Sequence, residues 1–168
     1  MIGNHATRAF ECIVESLEYP MFVVAAAADG DADACLVGFT TQCSMDPPRF
    51  AAFLSKTNRT YEIATRATVL VVHRIGPDQH ELAAHFGGTS EKDDPAKLAE
   101  WPWCPGPGDA PVIEVCDWFA GTIVARLDAG DHVAFVLTPF DGRCRDDGQL
   151  GYQEVRDIDA GQPPGEPT

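Results

Sequence analysis

Six consecutive residues combine charge, hydroxyl and amide groups in a way that suits anion binding. The run holds two cations, three hydroxyls and one amide, and it precedes a segment that can form a short helix. Free backbone N–H groups and the positive end of a helix favour a phosphate. The same composition fits a solvated loop between a strand and a helix, so spacing alone leaves both interpretations open. The residues are Ser55, Lys56, Thr57, Asn58, Arg59 and Thr60.

The segment before this loop could receive a flat ligand. Residues 35–42 are predicted to form a strand rich in small and hydroxyl side chains, and Pro47 and Pro48 follow soon after it. Gly38 permits the close approach of a planar ring, whose polar edge the main chain could bind. The alternative is that Gly38 only marks a bend in the strand.

Two other groups of reactive side chains predict no site. His80 and His85 are five residues apart, which separates them by about 140° around a helix. A shared zinc ion needs a spacing of four, so we predict no metal site. The six cysteines form no C-x-x-C pair. The apolar neighbours of Cys35, Cys43 and Cys116 favour a place in the core.

The balance of charge excludes several partners. The chain has 26 Asp and Glu against 12 Lys and Arg, a net charge of −14 in 168 residues. Such a surface repels phosphate backbones and anionic lipids, so we expect neither nucleic acid nor membrane as a partner. An anionic ligand would need a local basic pocket. The N-terminus does not resemble a signal peptide, and we expect a cytoplasmic protein with reduced thiols.

The elements that must position these residues are mostly short strands. An apolar face of Phe10, Ile13, Val14 and Leu17 predicts a first helix. Asn58 or Thr60 could cap a later one. The pattern predicts a mainly β chain with a few short helices, closed or nearly closed into a barrel. Strands are predicted at residues 21–28, 35–42, 50–54, 68–75, 112–116, 118–127, 132–138 and 149–158, and further helices at 60–67 and 77–86.

Five segments, taken in chain order, resemble the flavin reductase-like, FMN-binding split-barrel family. No one segment is decisive, but their order and spacing together are specific, and the resemblance covers nearly all of a single domain at residues 1–158. Residues 159–168 are expected to form a flexible tail. The segments are Tyr19–Ala25, Gly38–Pro48, Leu54–Thr60, Glu81–Gly88 and Asp128–Phe135.

The resemblance implies a split β-barrel that forms an interlocked or domain-swapped homodimer with FMN as cofactor, FAD or riboflavin being alternatives. The phosphate would lie in the loop of residues 55–60, and Phe86 and Gly87 would close the site. His132 would stand near the ring as the catalytic residue. Leu36 departs from the polar residue of many members. The strand residues expected along the flavin ring are Val37, Gly38, Phe39, Thr40, Thr41 and Gln42.

The activity implied by the resemblance is NAD(P)H-dependent reduction of flavin, with hydride transfer to flavin N5. The product would be reduced flavin or electrons for a partner such as a flavin-dependent monooxygenase. Two alternatives remain open at this point. One is a non-catalytic FMN-binding protein for electron transfer or sensing, and the other is a split-barrel protein that binds a deazaflavin or haem.

Overall fold

A computed structural model describes residues 4–88, 96–145 and 148–159 of the chain. Nine strands and three α-helices lie within these ranges. The strands are β1 Phe22–Ala28, β2 Asp31–Val37, β3 Thr40–Ser44, β4 Arg49–Ser55, β5 Val69–Arg74, β6 Trp103–Pro105, β7 Pro111–Ile113, β8 Asp117–Asp128 and β9 His132–Arg143. The α-helices are α1 Asn4–Val14, α2 Arg59–Ala64 and α3 His80–Gly88, and 3-10 turns span Lys97–Glu100, Pro107–Asp109 and Tyr152–Val155.

Seven strands form one antiparallel sheet in the order β2-β1-β5-β8-β9-β4-β3, and β6 pairs with β7. The edge strands β2 and β3 are neighbours in sequence, joined by Gly38 and Phe39. The N–H of Phe53 on β4 donates to the carbonyl of Phe39 at 2.9 Å, and β2 lies against β4. The sheet therefore curls until its edges approach each other, and the prediction of a mainly β chain is confirmed.

Alternating side chains of β1 and β5 point into two separate cores, as strand geometry requires. Val24 and Leu70 face the inside of the curled sheet, where Ile63 of α2 and Phe135 of β9 also pack. Val23 and its neighbours on the opposite face are covered by α3 and by β7. Apolar residues therefore occupy both faces of the central strands β1 and β5, because both faces are buried. No helix in the described ranges is long and apolar enough to cross a membrane.

Two strand predictions were wrong. The single strand expected at residues 35–42 is divided between β2 and β3, because the chain crosses from one edge of the sheet to the other at Gly38. The strand expected at residues 149–158 is a bridge between Pro20 and Gly151 followed by a 3-10 turn. The N–H of Gly151 donates to Glu154 Oε2 at 2.9 Å and closes that turn. The tail beyond residue 159 lies outside the described residues.

Candidate functional site

A cavity of about 780 Å³ opens where β2 ends beside β4. Its volume lies within the range of small-molecule sites, roughly 300–1,000 Å³. It brings together residues that are far apart in sequence, from the end of β2, the end of β4 and the start of β9. Six of the residues predicted to bind the cofactor or to act in catalysis contribute to its wall, and these are Val37, Gly38, Phe39, Ser55, Asn58 and His132.

Four rings form a continuous row along this wall. The ring of Phe39 lies 5.3 Å from His132 and 5.7 Å from Tyr19 between centroids. Tyr19 in turn lies 6.0 Å from Tyr152 with its ring nearly perpendicular. Edge-to-face contacts at these distances are favourable. The row gives the cavity an apolar, aromatic surface on which planar groups can pack.

Hydrogen bonds hold the loop of residues 55–60 in a fixed shape. The hydroxyls of Ser55 and Thr57 are 2.9 Å apart. The side chain of Asn58 accepts from the N–H of Thr60 at 2.9 Å and caps α2, as the sequence predicted. The N–H of Lys56 donates to the carbonyl of Asp131 at 2.9 Å, which ties the loop to the β8–β9 turn. Ser55 and Asn58 therefore present polar atoms to the cavity from an ordered loop.

The two cations of this loop do not line the cavity. Lys56 Nζ pairs with Asp128 Oδ2 at 2.8 Å, and a guanidinium nitrogen of Arg59 lies 3.5 Å from Asp31 Oδ1. The hydrogen bond from Lys56 lowers the pKa of Asp128. Each positive charge thus already has a carboxylate partner beside the loop.

A buried polar cluster lies behind the cavity wall. Thr60 Oγ1 donates to Asp33 Oδ2 at 2.6 Å, and Lys97 Nζ lies 3.4 Å from Asp33 Oδ1 with both side chains almost fully buried. Cys35, which lines the cavity, sits beside this cluster. Burial raises the pKa of its thiol to about 12. Cys35 is therefore a neutral thiol at neutral pH and unsuited to act as a nucleophile.

The β3 residues expected along a ring lie away from the cavity wall. Thr41 and Gln42 are exposed on the edge of the sheet, where Gln42 Nε2 donates to the carbonyl of Ser44 at 3.3 Å. The Thr40 hydroxyl is buried and makes no hydrogen bond within the described residues. Gly38 and Phe39 join β2 to β3, and the chain leaves the cavity wall after Phe39.

Phe86 and Gly87 support the site from outside it. Phe86 is buried in the outer core, with the ammonium of Lys97 5.7 Å from its ring centroid. A Cβ added at Gly87 would lie 2.8 Å from Leu36 Cδ2, and Leu36 lines the cavity. Gly87 therefore leaves room for Leu36 rather than touching the cavity space itself.

Neither the histidines of α3 nor the cysteines form a site. His80 Nε2 lies 3.0 Å from Asp157 Oδ1, whereas His85 Nε2 lies 2.8 Å from the carbonyl of Lys97. Among the described residues no group of three or more metal-ligating side chains comes together. Cys43 is exposed, so its predicted place in the core was wrong, because β3 is an edge strand with a solvated face.

Sequence reasoning missed much of the cavity wall. Phe10, Val14 and Glu15 reach it from α1 and the residue after it, and Tyr152 and Arg156 reach it from the C-terminal 3-10 turn and the residue after it. The apolar face of α1 was visible in the sequence, but nothing there indicated what it covers. The pattern of the C-terminal segment predicted only a strand, and it did not indicate a contact with the cavity.

Comparison with known proteins identifies a family over most of the chain. The model of the family described as "Flavin reductase like domain" matches residues 14–159. The stachydrine N-demethylase reductase subunit Stc3 of Rhizobium meliloti (strain 1021) is 30% identical over 105 residues, which are 60% of this chain and 44% of that protein. The chain therefore spans less than half the length of this curated relative.

Solved structures share the fold at lower identity. The NADH:FAD oxidoreductase SgcE6 of Streptomyces globisporus C-1027 matches with a TM-score of 0.78 at 16% identity, covering 93% of this chain and 94% of that one. BorF, the flavin reductase component of a bacterial two-component tryptophan halogenase, matches with a TM-score of 0.75 at 22% identity, covering 89% and 95%. These likenesses concern the fold.

Proposed function

Since the chain belongs to the flavin reductase-like family, we propose that it binds a flavin in the cavity beside β2 and catalyses its reduction by NAD(P)H. The observation that carries this proposal is the cavity itself. An ordered loop with Ser55 and Asn58 and a row of rings ending at His132 share one wall. A flavin mononucleotide needs both features, a flat apolar surface for its ring and polar groups for its phosphate.

The residues of the cavity fit FMN in their chemistry. The hydroxyl of Ser55 and the amide of Asn58 can bind phosphate oxygens, with Lys56 and Arg59 as positive charges behind them. The main chain and side chains from Val37 to Phe39 form the apolar side. FAD or riboflavin could use the same ring surface, but riboflavin would leave the loop without its anion.

A flavin bound here would supply the redox chemistry, since hydride transfer from a nicotinamide is chemistry of the cofactor. The protein would hold the flavin and nicotinamide rings in the geometry that hydride transfer needs, and it would exclude water from the cavity. We assign His132 and Phe39 to the side of the cavity that receives the nicotinamide. Asp131 Oδ1 lies 2.8 Å from His132 Nδ1 and fixes the orientation of the imidazole. Met21 and Leu36 help to close the apolar side.

We further propose that the protein is a homodimer that supplies reduced flavin or electrons to an oxygenase. Support for the dimer comes from apolar side chains exposed on β8 and β9, namely Val124, Leu127 and Phe140, which a second copy would cover. Support for the partner comes from Stc3 and BorF, whose names describe a reductase subunit and a reductase component of larger systems.

Flavin binding is tested by titrating the purified protein into FMN, FAD and riboflavin and following flavin fluorescence. The proposal expects saturable quenching, with FMN bound more tightly than riboflavin because of its phosphate. A colourless protein that quenches none of the three would contradict flavin binding. Size-exclusion chromatography with light scattering tests the dimer in the same samples.

A further inference from the structure

Arg156 is the one cationic side chain on the cavity wall within the described residues. It directly follows the 3-10 turn Tyr152–Val155. Its guanidinium donates to Gln153 Oε1 at 3.1 Å, and in the described part of the chain it has no carboxylate partner. Glu15, the carboxylate on the same wall, directly follows α1 and forms no ion pair with Arg156. Arg156 is therefore exposed at the cavity wall, and no described carboxylate forms an ion pair with it.

The cations of the loop of residues 55–60 and of the segment that follows α2 are paired with carboxylates. Lys56 and Arg59 have the partners described above, and Arg66 binds Asp29 Oδ2 at 2.6 Å and Asp31 Oδ2 at 2.9 Å. In a chain with a net charge of −14, an arginine without an acidic partner on the wall of an aromatic cavity is available to an anionic ligand. The planar guanidinium fork matches phosphate oxygens in a bidentate way.

We propose that Arg156 binds a phosphate group of a nucleotide in this cavity, which is an additional binding role that rests on the proposed function. Tyr152, on the same segment as Arg156, begins the row of rings that ends at His132. Ser55 and Asn58 lie near the His132 end, since Ser55 is the cross-strand partner of His132. Two separated phosphate-binding groups suit two nucleotides, so the geometry favours the dinucleotide hydride donor as the source of the phosphate at Arg156.

The test compares R156Q and R156K with the wild-type protein, with R66Q as a control that removes an arginine charge outside the cavity. NADH is compared with 1-benzyl-1,4-dihydronicotinamide, which carries the same reactive ring without phosphate. R156Q should raise the KM for NADH roughly tenfold or more, as expected for loss of a charge-assisted hydrogen bond. It should leave the reaction with the benzyl compound within about twofold, and R156K should lie between.

A second arm identifies the source of the phosphate. If R156Q weakens FMN and spares riboflavin in fluorescence titrations, the phosphate is that of the flavin and the role of Arg156 stands. If R156Q weakens phosphate-free ligands equally, or if R66Q has the same effect on NADH, Arg156 does not bind phosphate and the proposal is overturned.

A readout without flavin separates this proposal from the proposed function. Inorganic pyrophosphate should raise the thermal midpoint of the wild-type protein and of R66Q, and should raise that of R156Q much less. A wild-type protein that binds no flavin would refute the reductase assignment but leave this comparison intact. If neither pyrophosphate nor any nucleotide distinguishes R156Q from wild type, the assignment of Arg156 is wrong.

Discussion

Ser55 and His132 face each other directly across the antiparallel pair of β4 and β9. This register places the first residue of the polar loop beside the imidazole that also contacts Phe39, 5.3 Å away between ring centroids. The two residues are 77 positions apart in the sequence. The pairing of β4 with β9 thus builds the junction at which a flavin and its hydride donor would meet.

His132→Ala should slow flavin reduction while flavin binding is retained. Asp131 holds the imidazole beside the ring surface, so, if the nicotinamide binds there as proposed, the substitution removes a contact that positions it. We expect the reduction rate to fall by roughly 10- to 100-fold, as misplacement of reacting groups does. Anaerobic stopped-flow at the flavin absorbance measures this, with His80→Ala as control because His80 lies on α3 away from the cavity. An unchanged rate would remove His132 from the site.

The double change Lys56→Gln and Arg59→Gln should weaken FMN more than riboflavin. Both cations are partly exposed and paired with carboxylates, so their effect on a phosphate is screened and we expect a several-fold loss rather than a complete one. Asp128→Asn should have the opposite effect, because it frees Lys56. Fluorescence titration of each variant with both flavins measures the difference. Equal weakening of both flavins would argue against a phosphate in this loop.

Local chemistry made parts of the fold predictable. Asp29 and Gly30 adopt positive φ in the β1–β2 turn, a conformation that these residue types favour, and the cap at Asn58 follows from residue type. The break between β2 and β3 was not predictable from local pattern. It depends on the hydrogen bond between Phe53 and Phe39, which forms only when the edges of the curled sheet meet.

The candidate site likewise has a part that could be predicted from the sequence and a part that could not. Ser55 and Asn58 could be predicted from loop composition and from the resemblance, and Val37 from the resemblance alone. The part of the wall formed by α1 and the C-terminal 3-10 turn could not be predicted from the sequence. It depends on contacts between distant segments, such as that between Tyr19 and Tyr152. The same packing brings Arg156 to the cavity.

Lys97→Met should destabilise the protein by about 3–5 kcal/mol, since it leaves Asp33 as an unpaired buried charge. Both side chains of this pair are almost fully buried. The double variant Asp33→Asn with Lys97→Met should recover most of the loss, because the amide can still accept from Thr60 Oγ1. Urea unfolding of the wild type, the single variants and the double variant measures the coupling. Additive losses would show that the pair does not act as a unit.

The free energy of unfolding should fall as the pH drops from about 6.5 to about 4. Burial of His73 lowers its pKa to about 4, and in its neutral form Nδ1 can donate to the carbonyl of Val23 while Nε2 accepts from the N–H of Ile113. Below pH 6.5 the unfolded chain binds a proton that the folded chain excludes, which costs roughly 3 kcal/mol of stability by pH 4.

Urea unfolding at a series of pH values measures this contribution, with His73→Gln as the comparison. The variant should be less stable than the wild type at pH 7.5, and the difference should shrink as the pH approaches 4. A difference that stays constant over this interval would contradict a neutral, buried His73.

Gly87→Ala should weaken flavin binding with little effect on stability. The added Cβ would lie 2.8 Å from Leu36 Cδ2, so the side chain of Leu36, which lines the cavity, must shift to make room. We expect a several-fold loss of flavin affinity, measured by fluorescence titration. Gly88→Ala is the matched control, since a Cβ there meets its nearest atom at 3.5 Å. Equal effects of the two variants would show that Leu36 does not transmit the change.

Anaerobic titration of the flavin-loaded protein with NADH and with NADPH tests the central claim most directly. If the protein is a nicotinamide-dependent flavin reductase, the visible absorbance of the flavin bleaches in proportion to one of the two donors, and admitting air restores it. A yellow protein whose flavin stays oxidised with an excess of both donors would contradict the claim and indicate a flavin-binding protein without reductase activity.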